Sequence, residues 1–202
     1  MTTKFLYRPV KFWNVGQRFG EDKLCTNGTS YKSKKTEATC PVGYYSLYKN
    51  LGLAGHTGLD IGCYRGQPVL CSAEGTVVEI STEKERGLGV GVLTKVGTRF
   101  FKHTYWHFEG NSVKLGQKVE VGDLLGWADS TGLSSGDHLH FQLKETDSKG
   151  YPKNYENGYK GAIDPEPYLF DEFAGNVGPL LKRIKELMAQ IADVLAAKLR
   201  NR

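Results

Sequence analysis

Gly136-Asp137-His138-Leu139-His140-Phe141-Gln142-Leu143 alternates polar and apolar residues, the pattern of a half-buried β-strand. Residues two apart on a strand point to one face, roughly 7 Å from each other. His138, His140 and Gln142 therefore share a face, and Leu139, Phe141 and Leu143 share the other. Two imidazoles side by side on the exposed face of a well-packed strand point to a metal or catalytic site. The alternative is a chance pair of surface histidines, so the partners must come from elsewhere in the chain.

The loop Asp129 to Gly136 feeds directly into this strand. Upstream, Thr98 to Phe108 reads as a strand on which Tyr105 and His107 share a face and His103 has the same parity. Gly87-Leu88-Gly89-Val90-Gly91-Val92-Leu93 is glycine-rich but lacks a P-loop lysine and a following helix. It reads as a strand crossing a crowded part of a sheet. Pro68 to Ile80 gives two strands, and Val113 to Trp127 two more. In Gly55-His56-Thr57-Gly58-Leu59-Asp60-Ile61-Gly62 the glycines disfavour helix, each costing about 1 kcal/mol relative to Ala. His56 and Asp60, four apart, then converge as half of a zinc-ligand set. Many short strands and almost no helical periodicity before residue 175 predict an all-β or β-dominated domain.

The chain has 202 residues, 39% hydrophobic, enough for one domain with a sizeable core and an appendage. No run of 18 apolar residues occurs, and Met1 to Pro9 has no apolar signal-peptide core. The expectation is a protein made in the cytoplasm that either stays inside the cell that makes it or leaves by a route other than a cleaved signal. The net charge of +5 is concentrated at the end. Residues 176–202 carry Lys182, Arg183, Lys185, Lys198, Arg200 and Arg202 against Glu186 and Asp193, so the body is near neutral. That argues against a nucleic-acid footprint. Cys25, Cys40, Cys63 and Cys71 form no CxxC pair, and buried free thiols are preferred over two disulfides.

Residues 21–52 are polar and read as a long surface loop or insertion, whose Tyr31, Tyr44, Tyr45 and Tyr48 either line a cleft or anchor the loop. Residues 152–175 read as irregular. Val177, Leu180, Leu181, Ile184, Leu187, Met188, Ile191, Val194 and Leu195 then trace one apolar helix face, with Pro179 suited to the first helical position. Three roles are open to this basic amphipathic helix: packing back on the domain, self-association, or contact with an anionic membrane or lipopolysaccharide.

Together these pieces resemble the M23 family of zinc metallopeptidases, the lysostaphin-like peptidoglycan endopeptidases. The resemblance is carried by Gly55-His56-Thr57-Gly58-Leu59-Asp60-Ile61, Gly66-Gln67-Pro68-Val69, Ala73-Glu74-Gly75-Thr76-Val77, Gly122-Asp123-Leu124-Leu125-Gly126 and Ser130 to Phe141. It implies an antiparallel lysostaphin-like peptidase fold with the helix appended. The N-terminal strand and loop insertion would then occupy 1–52, the catalytic core 53–171 and the helix 176–202. It implies that His56, Asp60 and His140 bind one catalytic Zn2+ and that His107 and His138 stand beside it as catalytic histidines. Three protein ligands leave a fourth position open, as catalytic zinc requires. No HExxH glutamate is present, so the histidines must move the protons. Asp137 stands where the family often has Pro, and Trp106 where a small residue is common. Gln142 either contacts substrate or orients a ligand, or is a solvated strand residue, and His103, outside the motif, is expected at the surface of its strand.

The function so implied is hydrolysis of peptide bonds in bacterial peptidoglycan, in a phage-type lysin released by host lysis or carried in the particle. The alternatives are a bacterial wall hydrolase without its export signal, or a non-catalytic binder that activates other wall enzymes.

Overall fold

The computed structural model describes residues 3–33 and 40–200. Met1, Thr2, Arg202 and the side chains of Tyr31, Lys198 and Arg200 lie outside the described residues.

The strands are β1 (Leu6–Arg8), β2 (Val15–Gln17), β3 (Leu24–Thr26), β4 (Tyr31–Ser33), β5 (Tyr45–Ser46), β6 (Leu59–Gly62), β7 (Pro68–Leu70) and β8 (Gly75–Glu83). There follow β9 (Gly87–Val96), β10 (Arg99–Asn111), β11 (Lys118–Val119), β12 (Leu124–Ala128), β13 (His138–Thr146), β14 (Ala162–Ile163) and β15 (Leu169–Phe173). Two helices complete the chain, a single turn α1 (Leu47–Asn50) and the long α2 (Ala174–Arg200). The β-dominated expectation holds. Ten strands form one sheet whose spine runs β11-β8-β9-β10-β13-β6-β2, with β12 and β14 on β10 and β13 and β7 on β12. Its pairings are antiparallel.

The long hairpin β9–β10 closes over Gly97 and Thr98, with Gly97 at φ +60°, the backbone that glycine supplies at the first central position of a II′ turn. β10 is then held on both sides, by β9 and by β13, and so becomes the centre of the sheet. One face of β13, Leu139, Phe141 and Leu143, enters a core with Leu59, Ile61, Val90, Val92, Phe101, Tyr105 and Leu125. Each such side chain contributes roughly 1.5–3 kcal/mol on leaving water. The glycines of β9 answer to crowding, as expected. A Cβ on Gly89 would stand 2.6 Å from the Trp106 ring and 2.4 Å from the Tyr105 carbonyl oxygen.

Several expectations are corrected. The polar face of β13 is not solvent-exposed: His140, Gln142 and Lys144 are buried, because loops close over that face of the sheet. The described parts of residues 21–52 are not a plain loop. β4-β3-β5 form a small sheet of their own, capped by α1, in which Cys25, Thr26, Leu47 and Tyr48 are buried. A Cys25–Cys40 disulfide ties it together, while Cys63 and Cys71 are free thiols, so the all-thiol expectation holds for one pair only. Residues 152–175 are not wholly irregular, since β14 pairs with β13 and β15 lies parallel to β1. The helix begins at Ala174, with Pro179 inside it. Its first turns pack closely on Val121 and Gly122, and Lys185 binds both Glu74 and Glu120. Beyond this, Leu180, Ile184, Leu187, Met188, Ile191, Val194 and Leu195 stay exposed.

His103 is the largest reversal. It is fully buried under the sheet. The backbone N–H of Ser72 donates to the Tyr105 hydroxyl at 2.9 Å, so that hydroxyl turns its own proton to His103 Nδ1, at 2.7 Å. His103 Nε2–H then donates to Thr94 Oγ1 at 2.9 Å, and Thr94 donates to the Glu74 carbonyl at 2.7 Å. This chain pairs both ring nitrogens of His103 and the hydroxyls of Tyr105 and Thr94, and fixes His103 as the neutral Nε2–H tautomer. Burial pushes its pKa down to about 3.

Candidate metal centre and active site

β13 and β6 lie side by side with His140 opposite Asp60, so the carboxylate meets the imidazole across one rung of the ladder. His56 enters from the loop before β6. The three donor atoms form a tight triangle: His56 Nε2 to His140 Nδ1 is 3.0 Å, His56 Nε2 to Asp60 Oδ1 is 3.0 Å, and His140 Nδ1 to Asp60 Oδ1 is 2.8 Å. Among the described residues this is the group of three His, Cys, Asp or Glu side chains placed to hold a metal ion. A tetrahedral ion with ligands at 2.0–2.1 Å needs donor separations of about 3.3 Å, close to these edges.

The outward atom of the His56 ring supports the same arrangement. His56 Nδ1 faces the Arg18 carbonyl oxygen at 3.1 Å. A carbonyl only accepts, so Nδ1 carries the proton and Nε2 presents its lone pair to the triangle. Glycine at position 58 is required for His140 to sit as it does, since a Cβ there would be 2.9 Å from His140 Nε2. Burial works to raise the Asp60 pKa, but the charge of His56 and hydrogen bonds from His138, His140 and His56 outweigh it, holding the carboxylate well below its usual range. His140 is pushed down to about 4 by burial, against the pull of Asp60. Asp60 is thus held as a carboxylate and His140 as a neutral imidazole, the forms in which these two side chains can bind a divalent metal.

His107 reaches the site by a break in strand parity. Trp106 pairs with Gly89 and Phe108 with Leu88, which leaves His107 as an extra, bulged residue at φ +68°. The bulge turns its imidazole away from the face of Tyr105, with which simple alternation had grouped it, and toward the cleft. His107 Nδ1 donates to the Thr131 carbonyl at 2.6 Å, and His138 Nδ1 to the Gly136 carbonyl at 2.7 Å. Both rings therefore carry an unprotonated Nε2 when neutral. Their centroids are 4.6 Å apart, and His138 Nε2 lies 3.5 Å from Asp60 Oδ1. Burial, then the neighbouring His138 and His140, push His107 down to about 3. For His138 burial works downward, but Asp60, the Gly136 carbonyl and Asp137 together raise it.

The cleft over this cluster has a volume of about 330 Å³. Leu47 and Tyr48 form part of one wall, so among the described tyrosine side chains of residues 21–52 it is Tyr48 that lines the cleft, while the Tyr44 hydroxyl pairs with Ser30 Oγ on the small sheet. Arg65 binds Asp129 and Asp137, which gives the aspartate at 137 a structural partner. Sequence reading missed Lys144, which continues the parity of 138, 140 and 142, and Arg86. It also missed the carbonyls of Arg18 and Thr131, for which no local signal exists.

The sequence model described as Peptidase family M23 matches residues 54–154, half of the chain. The chain belongs to peptidase family M23. Glycyl-glycine endopeptidase ALE-1 of Staphylococcus capitis is 34% identical over 122 residues, 59% of this chain and 31% of that protein. Lysostaphin of Staphylococcus simulans is 31% identical over 137 residues, 67% of this chain and 25% of its own. The chain thus spans less than a third of the length of these relatives. The solved structure of the antimicrobial peptidase lysostaphin from Staphylococcus simulans aligns with a TM-score of 0.53 at 22% identity, over 83% of this chain and 53% of that one, a likeness of fold.

Proposed function

We propose that this M23 chain is a zinc-dependent endopeptidase that hydrolyses peptide bonds of bacterial peptidoglycan. The observation that carries the reading is the convergence of two unlike sets of groups in one cleft. His56, Asp60 and His140 bring three donor atoms within 3.0 Å of one another, and His107 and His138 stand beside them with Nδ1 tied to a backbone carbonyl and Nε2 left for proton transfer. Zinc bound at the triangle supplies Lewis acidity toward a substrate carbonyl and toward water. The chain supplies the rest. The backbone carbonyls of Thr131 and Gly136 hold the His107 and His138 rings so that Nε2 is free to take a proton from the attacking water. The same atoms return it to the leaving amine. A protonated ring there also stabilises negative charge on the carbonyl oxygen. The Arg18 carbonyl and the Trp106 ring hold the ligand rings in place.

The test is clearing of murein by the purified protein, its loss with EDTA and its loss in His140→Ala. Clearing that survives the substitution overturns the assignment. About one zinc per chain by elemental analysis supports the enzyme over a non-catalytic binder, and none favours the binder. Mass spectrometry of fragments released from walls of known chemistry identifies the bond. The proposed setting is a phage-type lysin, against which an exported bacterial wall hydrolase is tested by mass spectrometry of phage particles, lysates and cell fractions.

The exposed apolar stripe of α2, flanked by Lys182 and Arg183, supports a contact outside the domain, with a second copy or with an anionic surface. Deleting 176–202 and measuring oligomer size and binding to anionic vesicles separates the two. No change in either measurement sinks both.

A further inference from the structure

The polar face of β13 does not end at the metal-binding triangle. It runs from His138 through His140 and Gln142 to Lys144, all lining the same cleft. Four residues at about 3.3 Å each place the Lys144 backbone about 13 Å along the floor from that of His140. Both residues between the triangle and that end are costly to bury. Gln142 is 2% exposed and its Oε1 has no hydrogen-bond partner. Lys144 is 6% exposed, and its ammonium donates to the Lys160 carbonyl at 2.9 Å.

The charges around Lys144 are already spoken for. Glu79 binds Lys102 at 2.7 Å and Arg86 at 3.5 Å, and Glu83 binds Arg86 at 3.2 Å. Among the described residues, Lys144 has no carboxylate within ion-pair distance. Burial, then Arg86 and Lys102, push its pKa down to about 8, so it still carries its charge at neutral pH. A buried ammonium facing a cleft, with cations for neighbours, is satisfied by an anion entering that cleft. A peptide backbone lying over Gln142 supplies the N–H its oxygen needs.

We propose that Gln142 and Lys144 form a subsite that binds a carboxylate-bearing stretch of the substrate peptide, Lys144 pairing with the carboxylate and Gln142 accepting a backbone N–H. This rests on the peptide-hydrolase reading above and narrows it to peptides with a free carboxylate a few residues from the cleaved bond. An all-glycine bridge carries no such group within its run and is expected to be a poor substrate.

The test uses synthetic wall-crosslink peptides in matched sets: all carboxylates free, the side-chain carboxylate amidated, the C-terminus amidated, and an all-glycine peptide. For the zinc-loaded protein, kcat/KM for the free acid should exceed that of one amidated form roughly 10- to 100-fold, the loss expected when a charged hydrogen bond is removed. Which amidation matters tells side-chain from terminal carboxylate. Lys144→Met should bring the ratio close to one, and Lys144→Arg should restore most of it. Lys144→Gln with melting curves for all three guards against a folding defect. A wild-type ratio near one, or a ratio unchanged in Lys144→Met, overturns the subsite and leaves the endopeptidase reading standing. If no peptide and no wall is cut, that reading fails instead. Calorimetric binding of the same peptides then decides the subsite, a preference for the free acid lost in Lys144→Met supporting it and equal binding overturning it.

Discussion

The indole of Trp106 lies flat on the imidazole of His140, ring centroids 4.9 Å apart and planes inclined by 7°. Arg86 stacks on the same indole, 4.8 Å from its centroid. The large residue at 106 therefore acts as a rigid backing for one corner of the His56-Asp60-His140 triangle.

Trp106→Leu removes that backing without touching a donor atom. We expect zinc affinity to fall roughly 10- to 100-fold, as when other groups that orient ligand histidines are lost. Competition with a chromophoric chelator measures it, and unchanged affinity would mean the stack is only packing.

His107 is held at φ +68° by the bulge, a conformation costing an L residue about 1–2 kcal/mol. His107→Gly should therefore be more stable than His107→Ala by roughly 1 kcal/mol in chemical denaturation. Both should lose about 10²- to 10⁴-fold in kcat while keeping zinc. Loss of zinc in either variant would place His107 among the ligands. The pH dependence of kcat in His107→Ala and in His138→Ala assigns the base and the acid, the base variant losing the acidic limb and the acid variant the basic one.

His103 gives the fold an acid limit. Its folded pKa of about 3 lies below the unfolded value near 6.5, so the unfolded chain binds the extra proton between those values. Stability is complete above pH 6.5 and falls as the pH drops toward 3, by about 2 kcal/mol at pH 5. Urea titrations across that range should show the slope, and His103→Gln should lose this part of it.

Lys144 acts at the other end of the scale. Its folded pKa of about 8 lies below the unfolded 10.5, so the folded state sheds the proton first. Stability should rise between pH 8 and 10.5, by about 3 kcal/mol in total. Lys144→Met should raise the melting temperature at pH 7 and flatten that rise. A lower melting temperature would show that the bond to the Lys160 carbonyl outweighs the cost of burying the charge.

The Cys25–Cys40 bond closes a short loop, 15 residues apart, worth roughly 3 kcal/mol to the small sheet that carries Tyr48. Reduction should loosen that wall, seen as new proteolytic cuts between residues 21 and 52, and leave the main sheet folded. Cys63 and Cys71, pushed up to about 11 and 12 by burial, should react slowly with thiol reagents.

His56, Asp60, His138 and His140 were legible in the chain because each sits in a short motif with a fixed local geometry, whereas His107 was implied only by the resemblance to the M23 pattern. Period-two alternation places His138 and His140 on one face, and the spacing from His56 to Asp60 allows them to converge. Alternation also sorted Leu139, Phe141 and Leu143 into the core. Strand-rich composition determined the fold class for the same reason, since strand and turn preferences are local. The tertiary structure alone decided what depends on distant partners. Parity grouped His107 with Tyr105, and only the bulge against β9 turns it into the cleft. The polar face of β13 is buried because the segments around residues 47–57, 83–86, 133–135 and 159–160 close over it. His103 looked like a surface residue until Ser72, Tyr105, Thr94 and Glu74 met around it, and no periodicity reports a hydrogen-bond chain of that kind. The tautomers of His56 and His107 are set by the carbonyls of Arg18 and Thr131, which folding alone brings within reach.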